Sequence, residues 1–179
     1  MKITKTKRLT ITAMLCALAY VAAAIARVPI VLFLRYDPKD VIIVIGGFLF
    51  GPLTSLSITL IVSVTQMFTV SGTGVLGCLM NVISSCSFAL PAAWVYRKKS
   101  KLFGAILGLL GGWGCQVVVM MLWNYLIAPI YMGYPREEIV KLLLPAFLPF
   151  NLIKGGLNTV ITAVLYRPVV VVLRKICAD

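Results

Sequence analysis

The chain has 179 residues, of which 61% are hydrophobic and 12% are charged, and its mean hydropathy is +1.03. Soluble globular domains carry about 25% charged residues, so this composition excludes them and indicates an integral membrane protein. A chain of this length supplies five or six spans of about 20 residues with short connections. We therefore predict an all-α integral membrane protein with a single membrane domain over residues 1–179.

Apolar stretches separated by helix breakers predict a bundle of six transmembrane helices, of which the second is short. The breakers are prolines, glycines and one basic run. The first stretch also resembles a secretory signal, because basic residues precede it, but it is long for a signal and further spans follow. The predicted helices cover residues 9–26, 40–51, 53–70, 75–96, 102–128 and 142–173.

The 17 basic residues are distributed unevenly between the two sides of such a bundle. With a cytoplasmic amino terminus, eleven of them fall on the inner side, as the positive-inside rule requires. Four of the five acids fall on the outer side. Both termini of this multi-pass membrane protein are therefore predicted to be cytoplasmic. The net charge of +12 follows from topology, and no separate basic module indicates nucleic-acid binding.

The residues that most enzymes need are missing from the sequence. It contains no histidine, and its five cysteines are scattered without a Cys-x-x-Cys pair, which argues against a soft-metal site. The acids are expected in loops or at the carboxyl terminus, with none inside a span. No phosphate-binding loop motif occurs. We predict no catalytic residue, no metal and no cofactor, so that binding or transport remains.

Lys154 is the one charge well inside an apolar stretch. A buried ammonium costs several kcal/mol unless it finds a partner or water, so it marks a functional site. At 100° per residue, Asn151, Lys154 and Asn158 fall within a sector of about 60° on one helix face. The alternative for Lys154 is snorkelling to the headgroups as an anchor. The alternative for Asn158 is an interhelical hydrogen bond.

Amide side chains in three other helices lie at a similar level, towards the outer side. Gln66 belongs to the third predicted helix, Asn81 to the fourth and Asn124 to the fifth. Amides donate and accept hydrogen bonds, which suits recognition of a polar ligand edge. Each amide is also explained by packing between helices. The aromatics beside Asn124, Trp123 and Tyr125, suit an interfacial belt or a wall for a flat ligand.

The first outer loop precedes a predicted helix start. Asp37 is predicted as the N-cap and Pro38 as the first helical residue, with Asp40 as the carboxylate of a capping box. The loop before it is apolar and includes Leu34 and Tyr36. Such a loop is suited to act as a lid over a pocket. A re-entrant or interfacial segment explains the same composition.

The first helix carries a face of small residues. Ala13 and Ala17 have the spacing that lets a second helix approach closely. That helix belongs either to a partner protein or to the same bundle.

Several motifs together resemble the riboflavin-specific S component, the substrate-binding subunit of energy-coupling factor (ECF) transporters. The resemblance extends over nearly the whole chain, and its two most specific parts are the Tyr-Asp-Pro box and the Pro-Phe-Asn-Leu-Ile-Lys run. In chain order the motifs are Tyr36-Asp37-Pro38-x-Asp40, Gly46 to Pro52, Gly72-Thr73-Gly74, Asn81, Asn124-Tyr125 and Pro149 to Gly155.

The resemblance implies a multi-pass protein of the bacterial cell membrane that captures riboflavin near its outer face for an ATP-driven uptake transporter. It implies partners as well: a transmembrane coupling protein, which would contact Ala13 and Ala17, and two cytoplasmic ATPases. Asn124, Asn151 and Lys154 would hydrogen-bond the isoalloxazine ring. The loop with Leu34 and Tyr36 would close over the ligand.

Other functions remain open to the sequence. They are an S component for another vitamin, a self-sufficient secondary transporter of a neutral aromatic metabolite, and a scaffold subunit that transports nothing. Secondary transporters usually place acids at the midplane and contain internal repeats, and neither is visible here. A cationic vitamin would require an acid in the pocket. Riboflavin, its phosphate and close analogues all fit the expected site.

Overall fold

The computed structural model describes residues 4–26, 28–31, 34–69, 74–133 and 135–171, and it describes residues 28–31, 34, 35, 131, 167 and 171 by their backbone alone. Almost all of this is helical, which confirms the predicted fold class. The helices are α1 (Lys5–Ile25), α2 (Lys39–Phe50), α3 (Pro52–Thr69), α4 (Gly74–Lys98), α5 (Leu102–Met132), α6 (Arg136–Leu142) and α7 (Leu148–Leu165).

The last predicted span, 142–173, has a different start and a more complex make-up than expected. Helix α6 already begins at Arg136, and a π-helical stretch, Leu143–Phe147, joins it to α7. A second π-helical stretch, Tyr166–Val171, follows α7. Helix α5 also continues four residues beyond the predicted end, through Pro129, because proline within the last turn does not stop a helix whose C-cap is the left-handed Gly133.

Five helical stretches of the described chain are long and apolar enough to cross a membrane. They are α1, α3, α4, α5 and the composite stretch that begins with α6 and ends with α7. The short α2 is not among them, because its 12 residues reach about 18 Å at 1.5 Å per residue. Since the hydrocarbon core is about 30 Å thick, α2 is too short to cross it.

Helix α2 is the centre of the bundle. Nearly every residue from Lys39 to Leu49 is buried, and an apolar helix buried on all sides is typical of a bundle core. Helices α1, α3, α4 and α7 all contact it. The two charged residues of its first turn therefore have to find partners inside the protein.

A two-stranded antiparallel hairpin connects α1 to α2. Strand β1 (Val28–Val31) pairs with β2 (Leu34–Tyr36), with Val28 opposite Tyr36. We call the side of the bundle that holds this connection the hairpin end. The opposite side, where α1, α3 and α5 begin and α2 and α4 end, is the amino-terminal end.

Glycines on α5 allow the close packing of α4 against α5. A Cβ atom at Gly108 would lie 2.6 Å from the carbonyl oxygen of Ala92, and one at Gly112 would overlap the carbonyl oxygen of Phe88. At the neighbouring Gly111, by contrast, a Cβ atom would meet nothing within 4 Å. The glycines of α5 therefore differ in role although the sequence makes them look equivalent.

We expect Gly112→Ala to lower the thermal midpoint of the detergent-solubilised protein, because the new methyl group would push α4 away from α5. Gly111→Ala is the matched control, and it should leave the midpoint unchanged or raise it, since alanine favours a helix by about 0.5–1 kcal/mol over glycine. Equal effects of the two substitutions would contradict the packing described here.

Candidate binding site

The first turn of α2 carries two charges into the bundle. Lys39 and Asp40 are both fully buried. Moving a charge from water into a protein interior costs several kcal/mol, which only close partners offset. The partners of these two side chains define the candidate site.

Asp40 forms an ion pair with Lys154 of α7. The Lys154 Nζ atom lies 3.2 Å from Asp40 Oδ2, and the two side chains are 7% and 0% exposed. Asn158 donates to the same oxygen at 3.3 Å, and Ser85 of α4 donates to Asp40 Oδ1. Lys154 also donates to Ser84 Oγ at 3.3 Å. The pair thus joins α2, α4 and α7 at one point.

Lys39 is the centre of a second cluster on the other side of α2. Its ammonium donates to Gln66 Oε1 and Asn81 Oδ1, each at 2.9 Å, and lies 3.3 Å from Asp37 Oδ2. The two ammonium groups therefore face two carboxylates. The resulting site is strongly polar but has no net charge.

Tyr36 connects the hairpin to this network. Its hydroxyl donates to Asn158 Oδ1 at 2.9 Å, and Asn158 in turn donates to Asp40. Burial, assisted by the nearby Asp40 carboxylate, raises the pKa of Tyr36 to about 12. The phenol thus stays protonated and able to donate throughout the physiological pH range.

Several buried amide atoms of the described chain have no hydrogen-bond partner. Asn124 and Asn151 each donate to a carbonyl one turn back in their own helix, Met120 and Phe147, at 2.7 and 2.8 Å. Their Oδ1 atoms are buried without a partner. An unsatisfied buried acceptor costs about 1–3 kcal/mol, so these two oxygens indicate a donor supplied from outside the chain.

Other polar atoms extend the same region. Gln116 of α5 donates to Ser84 Oγ at 3.0 Å, which ties α5 to the Lys154 cluster. Gln66 Nε2 and the indole nitrogens of Trp113 and Trp123 are buried donors without a partner among the described residues. Tyr125, predicted from the sequence as part of an interfacial belt or of a wall for a flat ligand, is 40% exposed on another side of α5.

Helix α1 presents the predicted small residues outwards. Ala13 and Ala17 are exposed, whereas Ala19 and Ala23 are fully buried against the bundle. Met14 and Leu18, beside the exposed alanines, are 60% and 56% exposed. Ala13 and Ala17 are thus available for contact with lipid or another protein.

Several expectations from the sequence are wrong. Asp37 does not cap α2 and Pro38 is not its first residue, because α2 begins at Lys39 with Pro38 at the N-cap position and without a side-chain cap. Asp37 pairs with Lys39 instead. Asp40 completes no capping box, because its carboxylate binds Lys154. The position of Asp40 in α2 also contradicts the expectation that no acid lies within the helices of the bundle. Snorkelling of Lys154 is excluded by its burial and by the same ion pair.

Comparison with known proteins assigns the family. The family model described as ECF transporter, substrate-specific component, matches residues 7–166 of the chain. The chain belongs to this family. The resemblance seen in the sequence is thereby confirmed, and the protein is an S component.

Individual relatives match this S component over most of its length. It is 29% identical over 176 residues to the riboflavin transporter FmnP of Bacillus subtilis (strain 168), covering 90% of this chain and 91% of that protein. It is 28% identical over 179 residues to the riboflavin transporter RibU of Staphylococcus aureus (strain TCH60), covering 95% and 94%.

Solved structures agree with the fold of this S component. One, described as the S component of a bacterial ECF transporter, superposes with a TM-score of 0.83 at 26% identity and covers 96% of this chain and 99% of that chain. A biotin S component superposes with a TM-score of 0.60 at 18% identity, covering 91% of this chain and 92% of that one. The second likeness concerns the fold alone.

The structure brings several of the predicted site residues of the S component together. Asn151, Lys154 and Asn158 share one buried face of α7, as predicted. Gln66 and Asn81 meet through Lys39, and Tyr36 reaches Asn158. The side chain of Leu34 lies outside the described residues.

Sequence reasoning missed Lys39, Asp40 and Gln116 as members of the site. Lys39 and Asp40 follow Pro38 closely and resemble loop residues in the sequence. Only their position in the buried helix α2 shows that they belong to the site. Gln116 lies within the apolar α5 and was a detectable signal, since an amide in a membrane helix needs a partner. Among the described residues, no group of three acids, cysteines or histidines is arranged to hold a metal ion.

We expect the S component to lose about 3–5 kcal/mol of unfolding free energy when either Asp40→Asn or Lys154→Met is introduced alone, because one buried charge then lacks its counter-ion. The double variant leaves no uncompensated charge, so its loss should be far smaller than the sum of the two single losses. Denaturant unfolding in detergent measures the unfolding free energy of all three variants.

Ser57→Ala, which removes an exposed hydrogen bond of α3, is the control and should change stability by less than about 0.5 kcal/mol. Additive losses would contradict the pairing.

Proposed function

We propose that this S component binds riboflavin at the hairpin end of the bundle for an ATP-driven uptake transporter. Two relatives that each cover at least nine-tenths of this chain carry the name riboflavin transporter. The site described above supports the same ligand class on chemical grounds. Its contribution is binding, with ATP hydrolysis assigned to partner subunits.

The observation that carries the proposal is the pair of buried, unpartnered oxygens of Asn124 and Asn151. Riboflavin has a flat ring system with an N–H group between two carbonyls along one edge. An imide N–H is a donor of the kind that these acceptors lack. Both amides lie nearer the hairpin end than Lys154, which would form the floor of the pocket.

Lys154 suits a ligand carbonyl. An ammonium has three N–H donors, and Asp40 and Ser84 take two of them, so a third remains for the ring edge. The Asp40 carboxylate cancels the charge of Lys154. The site therefore favours an uncharged ligand such as riboflavin over a cationic or anionic one, since a charged ligand would enter without a counter-ion.

The hairpin is the proposed lid. Tyr36 at its end already contacts Asn158, next to the Asp40–Lys154 pair, and Leu34 belongs to the same strand. A ligand bound above Lys154 would be enclosed between this strand and α7. Enclosure excludes water, which strengthens each polar contact in the pocket.

The proposed partners are a transmembrane coupling protein and two cytoplasmic ATPase subunits. Exposure of Ala13 and Ala17 on α1 supports this side of the bundle as the docking face, because small side chains let another helix approach closely. The proposed topology places both termini in the cytoplasm and the hairpin end outside, which follows the uneven distribution of basic residues.

Purification in detergent tests the proposal directly. We expect the protein to carry a yellow, fluorescence-quenched flavin, identified as riboflavin by mass spectrometry after release. Asn151→Ala should weaken riboflavin binding at least about tenfold, as expected for one lost polar contact of about 1.4 kcal/mol, and Lys154→Ala should do the same. Titration calorimetry or flavin fluorescence measures the affinity.

Thr162→Ala is the matched control for Asn151→Ala. Thr162 lies on the same face of α7, is fully buried and also has an unpartnered polar atom, but it is three turns farther from the hairpin end. Its replacement should leave affinity unchanged. Lys154→Ala removes the counter-ion of Asp40 and can unfold the protein. Its riboflavin affinity is therefore compared with that of the wild type only if the variant still shows a cooperative melting transition. Wild-type affinity in Asn151→Ala would overturn the assigned pocket.

Transport in cells tests the docking face. We expect Ala13→Leu and Ala17→Leu to abolish riboflavin uptake while riboflavin affinity in detergent stays unchanged, because a larger side chain would hold the coupling protein away from α1. Gly111→Leu is the control, since Gly111 is equally exposed on α5. If uptake persisted in both Ala13→Leu and Ala17→Leu, α1 would not be the docking face.

A further inference from the structure

A cavity of about 520 Å³ opens at the amino-terminal end of the bundle, on the opposite side from the riboflavin site. It lies between the start of α1, the connection from α2 to α3, and the end of α4. Arg8 of α1 and Arg97 of α4 both contribute to its wall. The remaining lining residues are Gly47 to Leu53 and Ser100, and none of the lining residues is acidic.

The wall of this cavity is built to attract an anion. Arg8 uses one of its five N–H donors on Thr54 Oγ1, at 2.9 Å, and lies 5.8 Å from the Phe50 ring. Its position is thus fixed while other donors remain. Helix α3 begins at Pro52 in the same wall, so the positive end of its dipole also points here. Two like charges beside one cavity repel each other unless an anion lies between them.

A second cavity, of about 550 Å³, adjoins the first along the outside of α3 and α4. The two cavities share Pro52 and Leu53. Beyond these residues the second wall consists of apolar side chains only: Leu56, Leu90, Pro91 and Trp94. Trp94 is 55% exposed, and Lys98 Nζ lies 3.8 Å from the centre of its ring.

The combination of a cationic cavity and an apolar groove matches one kind of molecule. Both helices that form the groove are long and apolar enough to cross a membrane, so the groove faces acyl chains. A phospholipid carries its phosphate next to its acyl chains. In the same way, the cavity with Arg8 and Arg97 lies next to the apolar groove. A zwitterionic lipid also brings an ammonium group, which two guanidinium groups and Lys98 would repel.

We propose that an anionic phospholipid binds at the amino-terminal end of this protein, with its phosphate between Arg8 and Arg97 and one acyl chain in the groove beside Trp94. The lipid occupies a defined site rather than the general belt around the protein. The site is independent of the transported substrate.

Quenching of Trp94 fluorescence tests this site in the full chain. The protein is reconstituted into phosphatidylcholine vesicles in which a minor fraction of lipid carries brominated chains, either as phosphatidylglycerol or as phosphatidylcholine. We expect brominated phosphatidylglycerol to quench more strongly at equal fraction. Trp94→Phe should remove this difference, which assigns it to the groove and not to Trp113 or Trp123.

Charge variants then locate the headgroup. Arg8→Gln and Arg97→Gln should each lower the relative affinity for phosphatidylglycerol about fivefold, or about 1 kcal/mol for one basic residue near anionic lipid. Both side chains are exposed, so the core is unaffected. Lys99→Gln is the matched control: it removes the same charge at the same end of α4 but lines neither cavity, and it should retain the preference.

Soluble anions separate a lipid from a free phosphate. Inorganic phosphate or glycerol 3-phosphate, added at constant ionic strength, should leave the quenching unchanged, because neither has an acyl chain for the groove. If these anions displaced the brominated lipid, the cavity would be a binding site for soluble phosphate and the lipid proposal would be wrong. Equal quenching by the two brominated lipids, or an equal effect of Lys99→Gln and Arg97→Gln, would overturn the proposal.

Discussion

The ion pair between Asp40 and Lys154 is the interaction on which the site of this protein depends. It joins the central helix α2 to α7, and its hydrogen bonds reach α4 through Ser84 and Ser85. Neither charge would be tolerated in this interior alone, since breaking such a pair costs about 3–5 kcal/mol. The pair therefore fixes the relative position of the helices around the site as well as its charge.

Neutrality of the site follows from a second pair built in the same way. Lys39 binds Asp37, which precedes α2, and two amides, while Asp40 in the first turn of α2 binds Lys154. The two lysines and the two acids therefore balance each other within the protein. This arrangement leaves the candidate site rich in charged groups and yet without a net charge, which suits the uncharged ligand proposed above. For the ligand proposed above, a net charge would disturb a balance that is already complete.

Much of this fold is predictable from composition and helix breakers, because the lipid environment demands helices and the apolar runs mark them. The buried face of α7 is also predictable, since three polar residues at helical spacing in an apolar run form a single polar face that must turn away from lipid. The partner of Lys154 was not predictable. Asp40 follows a Tyr-Asp-Pro sequence that favours a helix cap, and only the central position of α2 in the bundle reveals where its carboxylate points. The start of α6 at Arg136 was missed for a related reason, because a charged, proline-flanked segment suggests a loop.

The short length of α2 has a consequence for how a solute enters. Helix α2 ends just before α3 begins, and α3 is long enough to cross a membrane. The 12 residues of α2 therefore place its start about 18 Å from that level, inside a hydrocarbon core of about 30 Å. Backbone without helical hydrogen bonding persists at such depth only when protein or water surrounds it. Tyr36 to Pro38, just before α2, are accordingly buried or half-buried in protein, and a ligand bound beside them, as proposed above, would lie part of the way across the bilayer before any large rearrangement of the protein.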